Sequence, residues 1–321
     1  MLTLSEYLGI IEKRLKELRY PQTPAGLYEP IAYTLDGGGK RLRPVLALAA
    51  CEAFGGKAED ALNQAVAVEM FHNFTLLHDD VMDSADMRRG RPTVHIRWDD
   101  RTAILSGDAM LTMSNVLVRR GCTPQQAVSV SDLMDTTAME VYEGQQFDMD
   151  FETQDDVTVD DYLNMIRLKT SVLLGCACRL GAIMAGASEE SSRAIYDFGV
   201  LLGMAFQLQD DYLDTYGDPI IFGKEIGGDI LNDKKTWLSI TALQEDPSGV
   251  LKQEIASPSE SGEKIARVRE VYESLDLGNR CHRLIDSYTD RAIAELRKID
   301  ITPAARDFFI TLAENSRTRS N

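Results

Sequence analysis

Apolar residues recur at spacings of three and four along most of this chain, as they do on the buried face of an α-helix. The pattern predicts seven main helical segments, at residues 44–54, 61–78, 102–120, 124–144, 160–186, 190–212 and 234–244. A convincing alternation with a period of two, which is typical of half-buried strands, is missing from the sequence. The chain is therefore predicted to be all-α.

Glycine-rich breaks separate these segments, and glycine punctuates turns because it tolerates backbone angles that other residues avoid. They are GGG at 37–39, GG at 55–56, RGRP at 89–92, GDP at 217–219 and GG at 227–228. No shift of composition, long linker or low-complexity tract divides the chain. We therefore expect a single domain over residues 1–321, built from about a dozen helices.

Composition and charge limit the partners. Hydrophobic residues make up 44% of the chain, enough for a large core, and the net charge is -17, from 51 acids against 34 bases. Nucleic acid and anionic membranes are therefore poor partners for the molecule as a whole. No stretch approaches the roughly 18 apolar residues of a membrane span, and the first residues lack the features of a secretory signal. We expect a cytoplasmic protein without an integral membrane segment.

Two acidic motifs share one spacing, DDVMD at 79–83 and DDYLD at 210–214. In a helix, residues four apart lie on one face, so the first and last aspartates of each motif would repel each other unless a cation lies between them. Carboxylate oxygens suit a hard divalent cation such as Mg²⁺. Acidic helix ends are otherwise commonly solvated. Because both motifs end strongly apolar segments, we favour metal binding.

Three basic clusters stand out in this acidic chain. They are GGGKRLRP at 37–44, MRRGRPT at 87–93, and GKEIGGD at 223–229 continued by NDKKT at 232–236. Surface salt pairing could explain each cluster separately, at little energetic gain. Cations held by the aspartates, with Lys and Arg beside them, would instead let an electronegative protein bind a diphosphate.

With these motifs, the sequence resembles the trans-prenyl diphosphate synthases, the family of farnesyl and geranylgeranyl diphosphate synthases. The resemblance runs from about residue 37 to 236, through both aspartate motifs, the basic clusters, GQQFDMDFE at 144–152 and Lys169-Thr170. It implies a single-domain, all-helical isoprenoid synthase fold around a deep central cavity, usually in a homodimer. The implied partners are isopentenyl diphosphate and an allylic diphosphate (dimethylallyl, geranyl or farnesyl).

The resemblance also implies roles for individual residues. Asp79, Asp83 and Asp210 look like ligands of Mg²⁺, three ions per site, with Asp80, Asp214 and Asp229 supporting them. The residues that resemble the allylic diphosphate site are Arg88, Lys169, Thr170, Gln207, Lys224 and Lys234. Those that resemble the isopentenyl diphosphate site are Lys40, Arg43, His72 and Arg89. The catalytic group would comprise Asp79, Asp80, Asp83, Asp210, Arg88 and Lys169.

His72 has two possible interpretations. A lone histidine within an apolar helix is more often a hydrogen-bonded core residue. It precedes Asp79 by seven residues, which is two helical turns and roughly the same face, so we favour the site.

Product length would depend on the residues before the first aspartate motif. In the resembling family a bulky residue five before the first aspartate, here Phe74, restricts products to short chains. Phe71 lies one turn earlier, and Thr75 replaces a second aromatic of animal-type farnesyl synthases. The two-residue insertion of typical bacterial farnesyl synthases is also missing. We therefore expect the twenty-carbon product over the fifteen-carbon one, unless both phenylalanines are only core packing.

Two other functions are compatible with part of this sequence. A terpene cyclase shares the fold and the first aspartate motif, but its second metal motif differs and it has no use for GGGKRLRP. A non-catalytic subunit of a heteromeric synthase usually loses aspartates or basic residues, whereas every motif is intact here. The basic end of the chain, with Arg317 and Arg319, resembles tails that close the site in some relatives.

Overall fold

The computed structural model describes residues 1–217 and 226–317. Long α-helices dominate these residues. Their bounds are α1 Leu4–Lys16, α2 Ala25–Leu35, α3 Leu42–Ala53, α4 Leu62–Met82, α5 Val94–Arg97, α6 Asp100–Val118, α7 Pro124–Phe151, α8 Val159–Ile166, α9 Val172–Met184, α10 Glu189–Tyr216, α11 Gly228–Leu231, α12 Trp237–Glu245, α13 Val250–Ala256, α14 Ser261–Ser274, α15 Leu277–Leu296 and α16 Pro303–Arg317.

Strand pairing within the described ranges is limited to a short antiparallel hairpin. Strand β1 (Met87–Arg88) pairs with β2 (Arg91–Pro92) through the partners Met87–Pro92 and Arg88–Arg91. The all-α prediction is confirmed, and the predicted helices correspond to observed ones with ends shifted by a few residues. Two deviations matter for the site: α7 continues to Phe151, and the segment predicted as one helix over 160–186 is interrupted.

That interruption is a π-helical turn at Arg167–Ser171, between α8 and α9. Glycines of two helices press against it. A Cβ on Gly144 of α7 would lie 2.3 Å from the backbone nitrogen of Lys169, and one on Gly203 of α10 would lie 2.6 Å from Cα of Ser171. The turn therefore occupies space that only glycine leaves open. Periodicity alone could not reveal it, because a single π-turn hardly disturbs the apolar spacing.

The chain divides into two compact units that interleave along the sequence. One comprises residues 1–136, 176–196 and 300–305, and the other comprises 137–175, 197–299 and 306–321. The prediction of a single domain over residues 1–321 stays a prediction.

The core of the first unit is built on α3, where nearly every residue is buried, and on the apolar part of α4. Helix α9 approaches α3 closely, since a Cβ on Gly181 would lie 2.1 Å from the carbonyl oxygen of Ala47. The other unit encloses a separate cluster of buried side chains that includes Tyr162, Leu208 and Trp237. Each aspartate motif thus extends from a helix that is anchored in its own core.

Within the part of the chain that the structure describes, no helix combines the length and the apolar character needed to cross a bilayer.

Gly144→Ala tests the close approach to the π-turn. The added methyl would meet backbone atoms that cannot rotate away, so we expect the free energy of unfolding to fall by about 3 kcal/mol, at the upper end of overpacking costs. Urea denaturation measures this change. Gly9→Ala is the matched control, because Gly9 lies in α1 with nothing within 4 Å of an added Cβ. It should gain about 0.5–1 kcal/mol from helix propensity. Equal midpoints for the two variants would contradict the packing argument.

Candidate active site

The first aspartate motif lies at the carboxyl end of α4, in the first unit. Asp79 and Asp80 belong to its last turn, and Asp83 is the residue that caps it, its backbone nitrogen donating to the carbonyl of Asp79 at 2.8 Å. Unsatisfied carbonyls make a helix carboxyl end partly negative. Three carboxylates there are unfavourable on their own, so the position suits a bound cation.

The three aspartates differ in their surroundings. Asp83 is exposed and Asp79 is half-buried, whereas Asp80 is only 5% exposed and accepts a hydrogen bond from Arg88 Nε at 2.6 Å. Burial raises the pKa of Asp80, and the guanidinium of Arg88 opposes that rise. Asp80 therefore anchors the hairpin that carries Arg88, while its neighbours remain accessible.

The glycine-rich turn before α3 places its basic residues on two sides. Arg41, with a left-handed φ of 48°, turns inward: it is 3% exposed and donates to Glu69 Oε1 at 2.6 Å, to Glu12 Oε1 at 2.8 Å and to the carbonyl of Leu35 at 2.6 Å. Lys40 is exposed. The buried ion pairs of Arg41 thus fix the position of the glycine-rich turn, and the sequence did not reveal them.

Arg43 and His72 lie close together, with 3.3 Å between Arg43 Nη1 and His72 Nε2, and their role in binding isopentenyl diphosphate stays a prediction. Burial lowers the pKa of His72 well below its ordinary value, and the neighbouring Arg43 and Arg89 lower it further. Burial also lowers the pKa of Arg43 to about 10, so Arg43 stays charged while His72 is neutral at pH 7. Nε of Arg43 is buried and lacks a hydrogen-bond partner among the described residues. An unpaired cationic donor of this kind suits an incoming anion.

Arg89 reaches back to the same turn. Its guanidinium donates to the carbonyl of Gly38 and lies against Gly39, where an added Cβ would be 2.9 Å from Nη2. Arg88 and Arg89 also line an open cleft in this unit, together with Asp80 and Asn73. The structure therefore brings Arg43, His72 and Arg89 together beside the glycine-rich turn.

Phe71 and Phe74 are both buried within the first unit. Their rings pack edge to face with centroids 5.4 Å apart, and Phe74 also contacts His78 at 4.9 Å. Thr75 is half-buried and donates to the carbonyl of His72 at 2.9 Å. Their role in product length stays a prediction.

The second aspartate motif occupies the last two turns of α10, in the other unit. Asp210 and Asp214 are half-buried, and Asp211 is 5% exposed. Asp214 Oδ2 accepts a hydrogen bond from the backbone nitrogen of Asp229 at 2.8 Å. The backbone carbonyl of Asp214 accepts one from the backbone nitrogen of Gly227 at 2.7 Å. The motif and the following GG turn are therefore tied together, which places Asp229 next to it.

The pKa of Asp229 shows how little positive charge surrounds the carboxylates of this unit. This pKa is raised to about 7, first by burial and then by the neighbouring carboxylates of Asp211, Asp214 and Asp148, while Lys234 opposes the rise. Lys234 Nζ lies 3.9 Å from Asp229 Oδ1. Several carboxylates thus share a small region with too little positive charge, which is the condition that a divalent cation relieves.

Lys169 and Thr170 lie on the π-turn. Lys169 Nζ donates to Asp148 Oδ2 at 2.6 Å, and Thr170 Oγ1 donates to Gln207 Oε1 at 3.1 Å. Gln207 Nε2 in turn donates to Asp211 Oδ1 at 2.9 Å. The structure therefore connects two of the predicted allylic-site residues, Thr170 and Gln207, to the buried Asp211, while Lys169 is paired with a different acid, Asp148.

Sequence reasoning overlooked several residues that organise these groups: Glu69, Asp148, Tyr162 and Asp211. Asp148 lies in the GQQFDMDFE segment, and Asp211 has the same place in its motif as Asp80, so both carried a signal. Glu69 and Tyr162 look like ordinary core positions in the sequence. Lys224 and Arg319 lie outside the described residues, and Arg317 forms ion pairs with Asp286 and Asp290.

The donor set fits a divalent cation that is only partly held by protein. Within residues 1–217 and 226–317, no three His, Cys, Asp or Glu side chains are already gathered around a common point. Mg²⁺ commonly uses one or two carboxylates and completes its shell with water and phosphate oxygens. The accessible aspartates at both helix ends match that mode of binding.

An all-α fold with two aspartate motifs at helix carboxyl ends, each followed by a basic loop, defines the isoprenoid synthase class. The polyprenyl synthetase family model matches residues 24–275, and the chain belongs to this family. The predicted enzyme class, a prenyltransferase, is thereby confirmed.

Individual relatives agree with this membership. A geranylgeranyl diphosphate synthase of Methanosarcina mazei is 41% identical over 235 residues, covering 73% of this chain and 72% of its own. A geranylfarnesyl diphosphate synthase of Natronomonas pharaonis is 37% identical over 256 residues, covering 74% and 75%. A crystal structure of a geranylgeranyl pyrophosphate synthase superposes with a TM-score of 0.96 at 45% identity, covering 100% of both chains.

The neutral state of His72 predicts a pH dependence of stability. Its pKa is lowered in the folded chain, so the unfolded chain binds a proton more readily as the pH falls through about 6.5. The free energy of unfolding should therefore decrease below that pH, by at most about 1.4 kcal/mol per pH unit from this group. In His72→Gln that component should disappear. Urea denaturation of both proteins between pH 7.5 and 5.5 measures it, and identical slopes would contradict the assignment.

Proposed function

We propose that this enzyme condenses isopentenyl diphosphate head to tail with an allylic diphosphate, in the presence of Mg²⁺, to give a short-chain all-trans prenyl diphosphate. The observation that carries the proposal is the pair of aspartate motifs at two helix carboxyl ends, with arginines and lysines next to both. Geranylgeranyl diphosphate is the favoured product, in agreement with the names of the relatives. Farnesyl diphosphate is the alternative, because a bulky Phe74 precedes the first motif by five residues.

The aspartates supply the metal sites. Asp79, Asp83 and Asp210 would bind Mg²⁺, three ions in all, and Asp214 and Asp229 would support them. The buried Asp80 would act through Arg88. When bound, the metal neutralises the diphosphate and stabilises the charge that develops as it departs. The raised pKa of Asp229 supports this proposal, since a nearby cation would allow that carboxyl to ionise at neutral pH.

The basic residues would bind the two substrates. Isopentenyl diphosphate would be held by Lys40, Arg43 and Arg89, with neutral His72 contributing a hydrogen bond instead of a charge. The groups proposed for the allylic diphosphate are Arg88, Lys169, Thr170, Gln207, Lys224 and Lys234. Lys169 would exchange Asp148 for a phosphate oxygen, so its position is prepared before substrate arrives.

The chemistry follows from the charges. Arg88, Lys169 and Lys234 stabilise the departing diphosphate, which lowers the barrier to breaking the allylic C1–O bond. The double bond of isopentenyl diphosphate attacks C1, and a C4–C1 bond forms. The proton lost from C2 of the isopentenyl unit passes to the released diphosphate, so the mechanism needs no histidine or glutamate base. Holding both substrates together supplies much of the rate.

We also propose a cytoplasmic homodimer. Helix α6 exposes Ile104, Leu105 and Val116, and Val128 of α7 is exposed in the same unit. Large apolar side chains concentrated on exposed helix faces are typical of protein interfaces. Sedimentation of the wild-type chain tests this state.

Removing one metal ligand from either motif tests the function. Asp79→Asn and Asp210→Asn keep the size of the side chain and remove its charge, so we expect the rate of chain elongation to fall about 10²–10³-fold each. Chromatography of products made from isopentenyl diphosphate and geranyl or farnesyl diphosphate measures it. Asp108→Asn, an exposed aspartate of α6, should keep the wild-type rate. Full activity in both motif variants would overturn the proposal, and cyclised products would indicate a terpene cyclase.

Phe74→Ala tests the chain-length assignment. Removing the ring opens space in the direction of the growing chain, and one isoprene unit is about as long as one helical turn. Products should therefore lengthen by at least one unit. Phe54→Ala is the control, since Phe54 caps α3 and is also partly buried. An unchanged product distribution in Phe74→Ala would leave Phe71 and Phe74 as core packing only.

A further inference from the structure

Tyr162 and Asp211 form a buried pair that the proposed mechanism does not use. Tyr162, on α8, is 1% exposed, and Asp211, on α10, is 5% exposed. The hydroxyl of Tyr162 donates to Asp211 Oδ2. Neither side chain is accessible enough to bind a substrate itself, so any effect on the reaction must pass through their neighbours.

The other carboxylate oxygen of Asp211 faces the substrate-binding residues. Oδ1 accepts from Gln207 Nε2 at 2.9 Å, one helical turn before it, and Gln207 Oε1 accepts from Thr170 Oγ1 at 3.1 Å. The result is a continuous chain of hydrogen bonds from Tyr162 through Asp211 and Gln207 to Thr170. All four residues belong to one unit.

This chain of hydrogen bonds determines the orientation of each side chain in it. An amide can be turned by half a rotation so that oxygen and nitrogen exchange places. Because Tyr162 already donates its only hydroxyl hydrogen to the carboxylate of Asp211, that carboxylate is held in place and accepts from the nitrogen side of Gln207. The amide oxygen is left facing Thr170, and one N–H of Gln207 remains for another acceptor.

The backbone between Tyr162 and Thr170 links the two ends of this chain of hydrogen bonds. Tyr162 and Thr170 are eight residues apart on the segment that contains α8 and the π-turn, and both are bonded to residues of α10. The π-turn is therefore attached to α10 at two points. Loss of the first attachment would let Gln207 rotate and release Thr170 without removing either residue.

We propose that Tyr162, acting through Asp211, is a positioning residue that orients Gln207 and Thr170 for the allylic diphosphate. The inference rests on the proposed function, in which Gln207 and Thr170 contact that substrate. It assigns a catalytic consequence to a hydroxyl that touches no substrate.

The first test compares two tyrosines with the same chemistry. Tyr7 is also fully buried and donates its hydroxyl to a carboxylate, that of Glu52, in the other unit. Tyr162→Phe should lower kcat about tenfold or more, as expected for a misplaced hydrogen-bonding group, with the KM for isopentenyl diphosphate nearly unchanged. Tyr7→Phe should keep the wild-type kcat. Equal kcat values for the two variants would overturn the proposal. If Tyr162→Phe does not fold, Asp211→Asn replaces it.

A double-mutant cycle distinguishes positioning from general loosening of the core. If Tyr162 acts through Gln207, Tyr162→Phe should change kcat less than about twofold once Gln207→Ala is present. If the two effects multiply, Tyr162 does not act through Gln207 and the proposal fails.

A readout without turnover separates this inference from the proposed function. The side-chain NH₂ resonances of Gln207 are assigned by their loss in Gln207→Ala. In the ligand-free wild type and in Tyr7→Phe, these resonances should be shifted from those of a free amide, and their hydrogens should exchange slowly with solvent. In Tyr162→Phe both features should be lost. Unchanged Gln207 resonances in Tyr162→Phe would overturn the proposal that Tyr162 orients Gln207. A wild type with this signature but no elongation activity would instead refute the proposed function.

Discussion

The arrangement of negative charge at the carboxyl ends of two helices is the constraint on which the candidate site depends. Carbonyl groups already make these ends partly negative, and α4 and α10 each add three aspartates there, in a chain with a net charge of -17. Burial, followed by the negative charge of the neighbouring carboxylates, raises the pKa of Asp229 to about 7. A nearby cation would relieve this repulsion, and the proposed function therefore assigns these aspartates to a divalent metal and, through it, to diphosphate.

Both motifs divide their aspartates in the same way. The second aspartate of each is 5% exposed and bonded inside its unit, Asp80 to Arg88 and Asp211 to Tyr162 and Gln207. The first and last remain partly or fully accessible. In the proposed function, the inner carboxylate positions groups that bind substrate, and the outer carboxylates are the ones assigned to metal. The three aspartates of each motif look equivalent in the sequence, but they have two different environments in the structure.

Sequence reasoning could predict those parts of the structure that repeat or cluster along the chain. Helices follow from apolar spacing, and the acidic and basic clusters stand out in the sequence, whereas the placing of Arg43 and His72 in one site comes only from the family resemblance. It could not predict the π-turn under Lys169, because that turn depends on the glycines of two other helices, Gly144 and Gly203. Nor could it find Tyr162 or Glu69, whose importance comes from a carboxylate or guanidinium that is distant in sequence. Residues of this kind look like core until their partners are known.

The buried cation Arg41 shows why one basic residue of a cluster cannot stand for another. Arg41 lies between Lys40 and Arg43 in the sequence, yet its guanidinium is buried and each of its three nitrogens donates a hydrogen bond, to Glu12, Glu69 and the carbonyl of Leu35. Arg43 keeps a buried Nε that no described residue accepts. Engaging all three nitrogens of Arg41 holds the turn in place, and the Nε of Arg43, without a partner among the described residues, stays available for an anion. The positive φ of Gly38 and Gly39 allows the chain to turn sharply just before these cations.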